Sequence, residues 1–293
     1  MKKIDPFSIV VVIFIIAGLY YTYRAKAYLT HTLVLVNIII FMMTYFVSDI
    51  ILDLGFRPEY LFTGEKIYTV ITSMYLHSGV LHLFFNMIFL IFIGLLFEEK
   101  IGTLRFGIIY YVTGFAAVVT FSFTSGFLRP EVIVVGASGG LYGILGAYAR
   151  LYPDDRFAFI PFPYPLPIYT WAFIFLLIAI VATFVPGICF GPIAHLAHVG
   201  GLFAGLAVSP LVMKIKGKEK ERVTKIDYNV FDVLAQTDSD KELLEKIKNE
   251  DEPEVRIAWL EHFLSKAKCP QCGGILQVEK RKLKCTCGFE LKF

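Results

Sequence analysis

The chain has 293 residues, of which 56% are hydrophobic and only 18% are charged. Soluble globular domains carry about 25% charged residues, so this composition excludes an ordinary soluble protein and points to a lipid environment. The formal net charge of +3 is small and indicates no particular class of partner.

Apolar segments long enough to cross a bilayer recur along the chain. A transmembrane helix needs about 20 apolar residues to cross about 30 Å of hydrocarbon. Six such segments lie at residues 7–22, 32–51, 80–97, 105–125, 168–187 and 194–213. A shorter glycine-rich stretch, residues 136–151, has almost no charge and is flanked by spans, so the sequence predicts about seven spans in all.

The first span, within residues 1–27, has two interpretations. Lys2 and Lys3 precede the apolar stretch FSIVVVIFIIAGL, an arrangement that is typical of signal peptides. The sequence YYTYRAKAYLT follows, with aromatic and basic residues where small residues should precede a cleavage site. An uncleaved N-terminal transmembrane helix with a short link is therefore favoured, and a cleaved or non-spanning segment is the alternative.

Basic residues predict the orientation of the spans. The run KIKGKEKERVTK follows Val212, and the positive-inside rule places such a run in the cytoplasm. Three other basic pairs then fall on the same side, namely Arg24 with Lys26, Lys100 with Arg105, and Arg150 with Arg156. Lys2 and Lys3 fall on the opposite side. The prediction is a multi-pass cell-membrane protein whose C-terminal tail is cytoplasmic.

Polar side chains inside the spans are few and clustered. Because such groups are costly in hydrocarbon, each is a candidate functional residue. His82, Ser138 and His198 fall within the first turns of three spans that all enter from the outer face, and therefore at similar depth. Asn86 lies one turn below His82, because residues four apart share a helix face. These four side chains predict a single site.

A serine and a histidine at one depth predict nucleophilic catalysis. An imidazole can take the hydroxyl proton, which makes Ser138 the candidate nucleophile and His198 the candidate general base. No Asp or Glu is placed to orient His198, so the two residues would act as a dyad. The tetrahedral intermediate needs oxyanion donors, each worth about 3–4 kcal/mol. His82, Asn86 and the backbone N–H of Ser138 are the available set.

Glycines explain how these spans can meet. Gly139 and Gly143 are four residues apart, as are Gly201 and Gly205, and this spacing lets helix backbones approach closely in lipid. A close approach is required if a serine hydroxyl is to reach an imidazole at about 2.6–3.2 Å. The alternative is that these glycines only pack helices, but packing alone does not explain the matched depth of the serine and the histidine.

These residues resemble the rhomboid family of intramembrane serine proteases. The matching elements are His77…His82…Asn86, Glu98…Gly102…Arg105-Phe106, Gly136-Ala137-Ser138-Gly139 and Ala197-His198-x-Gly200-Gly201. The resemblance covers the polytopic core, residues 28–213. It implies an all-α membrane fold with six core helices, to which the N-terminal helix is an addition.

The resemblance also implies an activity, the cleavage of single-span membrane proteins near the outer leaflet. It implies further that Tyr142 stacks beneath His198, and that Gly136 and Gly139 support the serine. Tyr68-Thr69 departs from the family's pattern, because a Trp-Arg pair usually stands there, so the seating of the first outer loop is not predicted. His77 is predicted to be a structural hydrogen-bonding residue of that loop.

Three other functions compete with this interpretation. A metalloprotease would explain clustered histidines, but the chain lacks an HExxH motif. A transporter would need polar groups in the inner half of the spans, where few occur. The main alternative is a non-catalytic rhomboid-like membrane adaptor with a zinc-binding tail, although inactive relatives lack the serine or the histidine, and both are present here.

Residues 214–266 predict a cytoplasmic helical linker. Ser239 to Glu242 has the spacing of a capping box, and Pro253 stands where a second helix would begin. In that second helix Val255, Trp259 and Phe263 follow one another at four-residue spacing and predict an apolar face. A helical hairpin that packs on itself is favoured, and a helix lying on the membrane surface is the alternative.

Residues 267–293 are predicted to form a zinc-ribbon-like domain. Cys269, Cys272, Cys285 and Cys287 form two close pairs, separated by a strand-rich segment, that can bring four thiolates to one ion. So small a segment cannot fold on its own core, so metal binding would supply the folding free energy. Two disulfides are the alternative, but the cytoplasm is reducing. The second pair is CxC, where CxxC is usual.

The expected partners follow from these assignments. Single-span substrates and the bilayer are expected to contact the core, and no cofactor is predicted for catalysis. The zinc ribbon is expected to bind a protein partner. Nucleic acid is disfavoured, because the basic KRKLK stretch is more simply a solvated strand. Cys189, the fifth cysteine, is expected to be a small core residue.

Overall fold

A computed structural model describes residues 4–126, 130–158, 164–185, 195–215, 226–250, 253–279 and 282–292. The chain divides into two compact units, Met1–Gly217 and Lys218–Phe293. Cys189 and residues 186 and 187, at the end of a predicted span, lie outside the described residues.

The first unit is helical. Its helices, in chain order, are α1 (Pro6–Ala25), α2 (Leu29–Phe46), α3 (Asp49–Leu54), α4 (Pro58–Thr63), α5 (Thr69–Thr72), α6 (Val80–Phe89), α7 (Leu95–Ile101), α8 (Thr103–Phe121), α9 (Ser138–Leu151), α10 (Ile168–Phe184) and α11 (His195–Val212). Two-residue strands β1 (Arg156–Phe157) and β2 (Leu166–Pro167) pair antiparallel between α9 and α10. A π-helical stretch, Leu90–Gly94, joins α6 to α7 and makes one continuous span of them.

The helices of this unit make the chain a multi-pass membrane protein. Five described segments are long and apolar enough to cross a membrane, namely Pro6–Ala25, Leu29–Phe46, Val80–Ile101, Thr103–Thr124 and His195–Val212. The shorter helices α10 and α9 supply two more of the predicted spans. The predicted all-α fold, with a six-helix core and one N-terminal helix, is confirmed.

The second predicted span, residues 32–51, is wrong at its end. Helix α2 stops at Phe46, Val47 is extended, and α3 begins separately at Asp49. The break turns the carboxylate of Asp53 inward, where it is buried and receives hydrogen bonds. A straight continuation of α2 would carry this carboxylate on a transmembrane helix, where a charge is costly.

Helices α8, α9 and α11 pack together at the centre of the unit. A methyl group added at Gly201 would lie 2.2 Å from the carbonyl oxygen of Gly139, and one at Gly205 would lie 2.0 Å from that of Gly143. The backbones of α9 and α11 are therefore in direct contact along the two predicted glycine pairs. This contact fixes the start of α9 against the start of α11.

Two buried charged side chains hold helix ends at the opposite end of the bundle. The carboxylate of Glu98 accepts hydrogen bonds from the N–H groups of Leu29 and Thr30, at 2.6 and 2.8 Å, and from the Thr30 hydroxyl at 2.6 Å. These donors have no partner within α2, and a negative charge is favourable at a helix N-terminus. The guanidinium of Arg105 donates to the carbonyl of Ile215, just beyond α11.

The loop that precedes α6 packs on α3 and is hydrogen-bonded to it. The hydroxyl of Tyr68 donates to the backbone carbonyl of Asp53 at 3.3 Å, and Thr69 is fully buried. The hydroxyl of Thr72 donates to the carbonyl of Leu54 at 2.7 Å. Tyr68 and Thr72 therefore attach this loop to α3 through hydrogen bonds, whereas the Thr69 hydroxyl donates within the loop, to the carbonyl of Lys66.

The second unit combines helices with a small sheet. A 3-10 helix (Tyr228–Leu234), α12 (Asp238–Asn249) and α13 (Pro253–Lys266) precede the antiparallel strands β3 (Gln277–Glu279), β4 (Lys282–Lys284) and β5 (Glu290–Lys292), in the order β3-β4-β5. Helix α13 begins at Pro253, as predicted. The capping box is Thr237 with Asp240 rather than Ser239 with Glu242. Thr237 is extended and can turn its hydroxyl to the helix, whereas Ser239 already lies inside the first turn.

The helices of the second unit share one hydrophobic core with its β-strands and cysteine-containing turns. The buried face of α13 is formed by Leu260, Phe263 and Leu264. Of the predicted apolar face, Phe263 is buried and Trp259 packs against the core, whereas Val255 is exposed. Other members of this core are Phe231, Leu234, Leu244, Ile247, Cys269, Leu276 and Leu283. The apolar faces of α12 and α13 are thus covered from within the unit, as a packed hairpin requires.

Candidate active site

Three helices begin at one end of the membrane unit, and each carries a predicted site residue in its first turn. Ser138 opens α9, His198 is the fourth residue of α11 and His82 is the third residue of α6. The Oγ atom of Ser138 and the Nε2 atom of His198 are 2.8 Å apart, and His198 is buried. The structure therefore brings the predicted nucleophile and base into hydrogen-bond contact.

The ring of Tyr142 holds the imidazole in place. It stacks on His198 with centroids 4.3 Å apart and an interplanar angle of 6°. Tyr142 follows Ser138 by one turn of α9, so one helix supplies both the hydroxyl and the stacking surface. Within the described part of the chain, the hydrogen bond of His198 to Ser138 is not accompanied by one to a carboxylate.

The loop before Ser138 is closed by Gly136. Its φ of +128° is one that residues with a side chain rarely adopt, and its N–H donates to the carbonyl of Ser73 at 2.9 Å. A Cβ atom there would lie 2.8 Å from Nε2 of His82 and 3.6 Å from Oγ of Ser138. These two atoms therefore border the same small volume, which only glycine leaves open.

Contacts with Ser78 determine which nitrogen of His82 carries the proton. The Nδ1 atom lies 3.4 Å from the backbone N of Ser78 and 3.0 Å from its hydroxyl oxygen. A backbone N–H can only donate, so Nδ1 is the acceptor and the neutral ring carries its proton on Nε2. That N–H faces the volume beside Ser138. Sequence analysis did not identify Ser78. The signal that could have found it is a serine four residues before a histidine at the start of a helix.

Asn86 and His77 both contact His82, but neither is hydrogen-bonded to Ser138 within the described structure. Asn86 is buried one turn below His82, and its amide donates to the backbone carbonyl of His82 at 2.6 Å. Among the described residues, no hydrogen bond joins Asn86 to Ser138. The prediction that His77 makes structural hydrogen bonds is wrong, because both of its ring nitrogens are buried without a partner among these residues. Its ring instead packs edge-on against His82, with centroids 5.0 Å apart.

The second unit holds a separate cluster of four thiols. The Sγ atoms of Cys269, Cys272, Cys285 and Cys287 all lie within 4.8 Å of one another, and none of the four is in a disulfide. Gly273 and Gly288, at φ of +71° and +97°, close the two turns that present them. The N–H groups of these glycines donate to the carbonyls of Cys269 and Cys285. The shorter CxC turn thus reaches the same cluster as the CxxC turn.

The charge on this cluster depends on its neighbours. The pKa of the Cys285 thiol is lowered to about 6, chiefly by the backbone of Cys287 and further by Cys272. For Cys272 the backbone of Gly274 lowers the pKa, but hydrogen bonds with Cys285 and Cys287 outweigh it and raise the pKa to about 12. A second thiolate so close to the first is repelled unless a cation neutralises both, so these residues are suited to hold a metal ion.

Comparison with known proteins gives one family. Residues 64–215 match the family model described as the Rhomboid domain. RHOMBOID-like protein 7 of Arabidopsis thaliana is 30% identical over 156 residues, which are 51% of this chain and 44% of that protein. Rhomboid-like protease 3 of Toxoplasma gondii is 29% identical over 163 residues, 50% of this chain and 52% of that protein.

The family also includes a relative whose name marks it as inactive. Inactive RHOMBOID-like protein 8 of Arabidopsis thaliana is 32% identical over 93 residues, 32% of this chain and 25% of that protein. The chain spans about half or less of the length of each of these relatives.

Proposed function

Because the chain belongs to the rhomboid family, we propose that it is an intramembrane serine endopeptidase that cuts single-span membrane proteins within their transmembrane segments. The observation that carries this proposal is the distance of 2.8 Å between the Ser138 hydroxyl and Nε2 of His198. A hydroxyl is a weak nucleophile until a base takes its proton, and this pair supplies both groups.

The reaction follows from these two groups. Nε2 of His198 accepts the Ser138 proton while Oγ forms a bond to the carbonyl carbon of the substrate. The tetrahedral intermediate then collapses, and His198 gives the proton to the leaving amine as the peptide C–N bond breaks. Water, deprotonated by the same imidazole, hydrolyses the acyl-serine ester and returns the hydroxyl to Ser138.

The oxyanion of the intermediate needs donors beside Ser138. The Nε2–H of His82 borders the required volume. The backbone N–H of Ser138 is the second donor, because the first N–H groups of a helix have no intrahelical partner and carry its positive end. Asn86 is the third: one N–H of its amide donates to the His82 carbonyl, and the second N–H would serve in this role.

The substrate follows from the position of the site. With the tail in the cytoplasm, the helix starts that carry Ser138 and His198 lie near the outer leaflet. A transmembrane segment protects its peptide bonds by helical hydrogen bonding, so a substrate must unwind before it is cut. Small, helix-destabilising residues near the outer end of a single-span protein are therefore the expected recognition feature.

A fluorophosphonate that reacts with activated serines tests this proposal. In purified protein in detergent, we expect the probe on the peptide that contains Ser138. Substituting His198→Ala should slow the labelling at least about 100-fold, because general-base catalysis contributes about 10²–10⁴-fold. His195→Ala, one turn earlier on α11, is the matched control and should label within a few-fold of the parent.

Two results would contradict the proposal. Labelling on a different serine would show that the contact between Ser138 and His198 is not catalytic. A parent protein that is folded but takes no probe would favour the non-catalytic adaptor.

We also propose that the four thiolates of the second unit bind a structural zinc ion. Tetrahedral zinc–thiolate bonds of about 2.3 Å place sulfur atoms about 3.8 Å apart. The Sγ atoms of Cys269 and Cys287 are 3.6 Å apart, and those of Cys272 and Cys285 are 3.4 Å apart, so these residues fit such an ion. Zinc would stabilise the fold of this unit and would take no part in the cleavage reaction.

Metal analysis of the purified full chain tests this assignment. We expect one zinc per chain, lost in Cys272→Ser and kept in Cys189→Ser, the control at the fifth cysteine of the sequence. The loss should make the tail sensitive to protease, because structural zinc contributes about 10–16 kcal/mol to the folding of small domains. Zinc retained after removal of residues 267–293 would contradict the assignment and indicate a metal site in the membrane unit.

A further inference from the structure

Asp53 is a buried carboxylate that joins three segments of the membrane unit. It lies in α3 with 6% of its surface exposed. Its Oδ2 atom accepts hydrogen bonds from the N–H of Asp5 at 2.8 Å and from the hydroxyl of Ser8 at 3.1 Å, both at the start of α1. Its Oδ1 atom lies 3.6 Å from Nζ of Lys66, in the loop before α6.

Helix α1 is fixed along its length by other contacts. Val11 and Ile15 are buried in the core of the membrane unit. Near the far end of α1, the hydroxyls of Thr22 and Thr32 are hydrogen-bonded at 2.6 Å. Because α1 is anchored against α2, its first turn holds the Asp53 carboxylate in a fixed position.

One backbone hydrogen-bonded pair connects the segment that follows α3 to the segment that precedes Ser138. Phe56, three residues after Asp53, exchanges two backbone hydrogen bonds with Val134, at 2.7 and 3.1 Å. Val134 stands two residues before Gly136, which contacts His82 and precedes Ser138. The segment that Asp53 anchors therefore supports the loop that places the nucleophile beside its oxyanion donor.

We propose that Asp53 is a positioning residue through which helix α1 holds the loop at residues 134–138 in its reactive geometry. This inference rests on the proposed function. Asp53 acts through the backbone of residues 54–56 and not on the substrate. A displacement of about 1 Å in a catalytic group can cost about 100-fold in rate, so loosening of this support should reach the chemistry.

The decisive variant is Asp53→Asn in the full chain. It keeps the size of the side chain, but it removes the charge and replaces one carboxylate oxygen by an amide NH2, which cannot accept a hydrogen bond. Either the α1 donors or Lys66 therefore loses its acceptor. We expect kcat for a single-span substrate to fall about tenfold or more, with KM changed less than twofold. Ser8→Ala, which removes one donor without changing any charge, should move kcat in the same direction by a smaller factor. Glu65→Gln, an exposed carboxylate beside Lys66, is the matched control and should leave kcat unchanged.

Hydrogen exchange separates positioning from general destabilisation. In Asp53→Asn the amide of Gly136, which donates to Ser73, should exchange at least tenfold faster, while the amides of α9 and α11 keep their protection. Uniform loss of protection, or an unchanged kcat, would overturn the inference. So would an intact mass showing that the active protein lacks residues 1–27. If the parent does not cleave at all, the proposed function fails, and exchange at Gly136 still decides whether Asp53 holds the loop.

Discussion

Substitution of Ser138 by alanine is expected to abolish cleavage of a reconstituted single-span substrate, with kcat reduced by at least about 10⁴-fold. The variant loses only the hydroxyl that lies 2.8 Å from His198, so helix packing and substrate binding should persist. Product formation in proteoliposomes, followed by mass spectrometry, measures the effect. Thermal unfolding in detergent should show little change, because the hydroxyl is a small part of the packed site.

Ser209→Ala is the control for this experiment. Ser209 is also a buried serine, on α11, and its hydroxyl has no partner among the described residues. It should cleave like the parent. If Ser138→Ala also cleaves as fast as the parent, the proposed mechanism is wrong, however well the geometry fits.

Substitution of Gly201 by alanine is expected to produce the second large loss. The new methyl group would lie 2.2 Å from the carbonyl oxygen of Gly139, and a backbone atom in a packed helix cannot turn aside as a flexible side chain can. Helix α11 must then move away from α9, and this separates His198 from Ser138. A shift of about 1 Å should lower the rate of serine labelling about 100-fold, and overpacking should cost about 1–3 kcal/mol of stability.

Gly107→Ala in α8 is the matched control. Its methyl group would meet only the end of the Leu29 side chain, at 3.1 Å, which can adjust. We expect near-parental labelling and thermal stability. A Gly201→Ala variant that labels at the parental rate would show that the backbone contact between α9 and α11 does not set the distance between the side chains of Ser138 and His198.

The location of the candidate site could be predicted because polar residues are rare within membrane spans. Each one that does occur there is therefore a candidate functional residue. His82, Ser138 and His198 each stand near the start of an apolar segment, and counting spans placed them at one level. The glycine spacing then indicated which helices are in contact. The pairing of Ser138 with His198 needed no detail of side-chain rotation, since both residues lie close to that contact.

The remaining details depend on tertiary contacts that sequence periodicity does not report. The break after Phe46 reflects the burial of Asp53 against α1 and Lys66, which are far from it in sequence. The Asn86 amide donates to a backbone carbonyl of its own helix, a choice of partner that residue spacing does not report. The core of the second unit includes residues of its β-strands and cysteine-containing turns. The buried face of α13 could therefore not be assigned from the spacing of its own apolar residues alone.

The π-helical stretch at Leu90–Gly94 has a consequence for how this span tolerates change in length. A π turn accommodates one extra residue within an otherwise regular helix. His82 at one end faces Gly136 in the loop before Ser138, and Glu98 at the other end caps α2, so the two ends satisfy unrelated geometric demands. Loss of one residue within the stretch would leave a regular helix with both ends in their present directions, whereas loss of a second residue would rotate one end by about 100° relative to the other. After that rotation either His82, the proposed oxyanion donor, or Glu98, the cap of α2, would turn away from its partner, so the π turn lets this span lose one residue and no more.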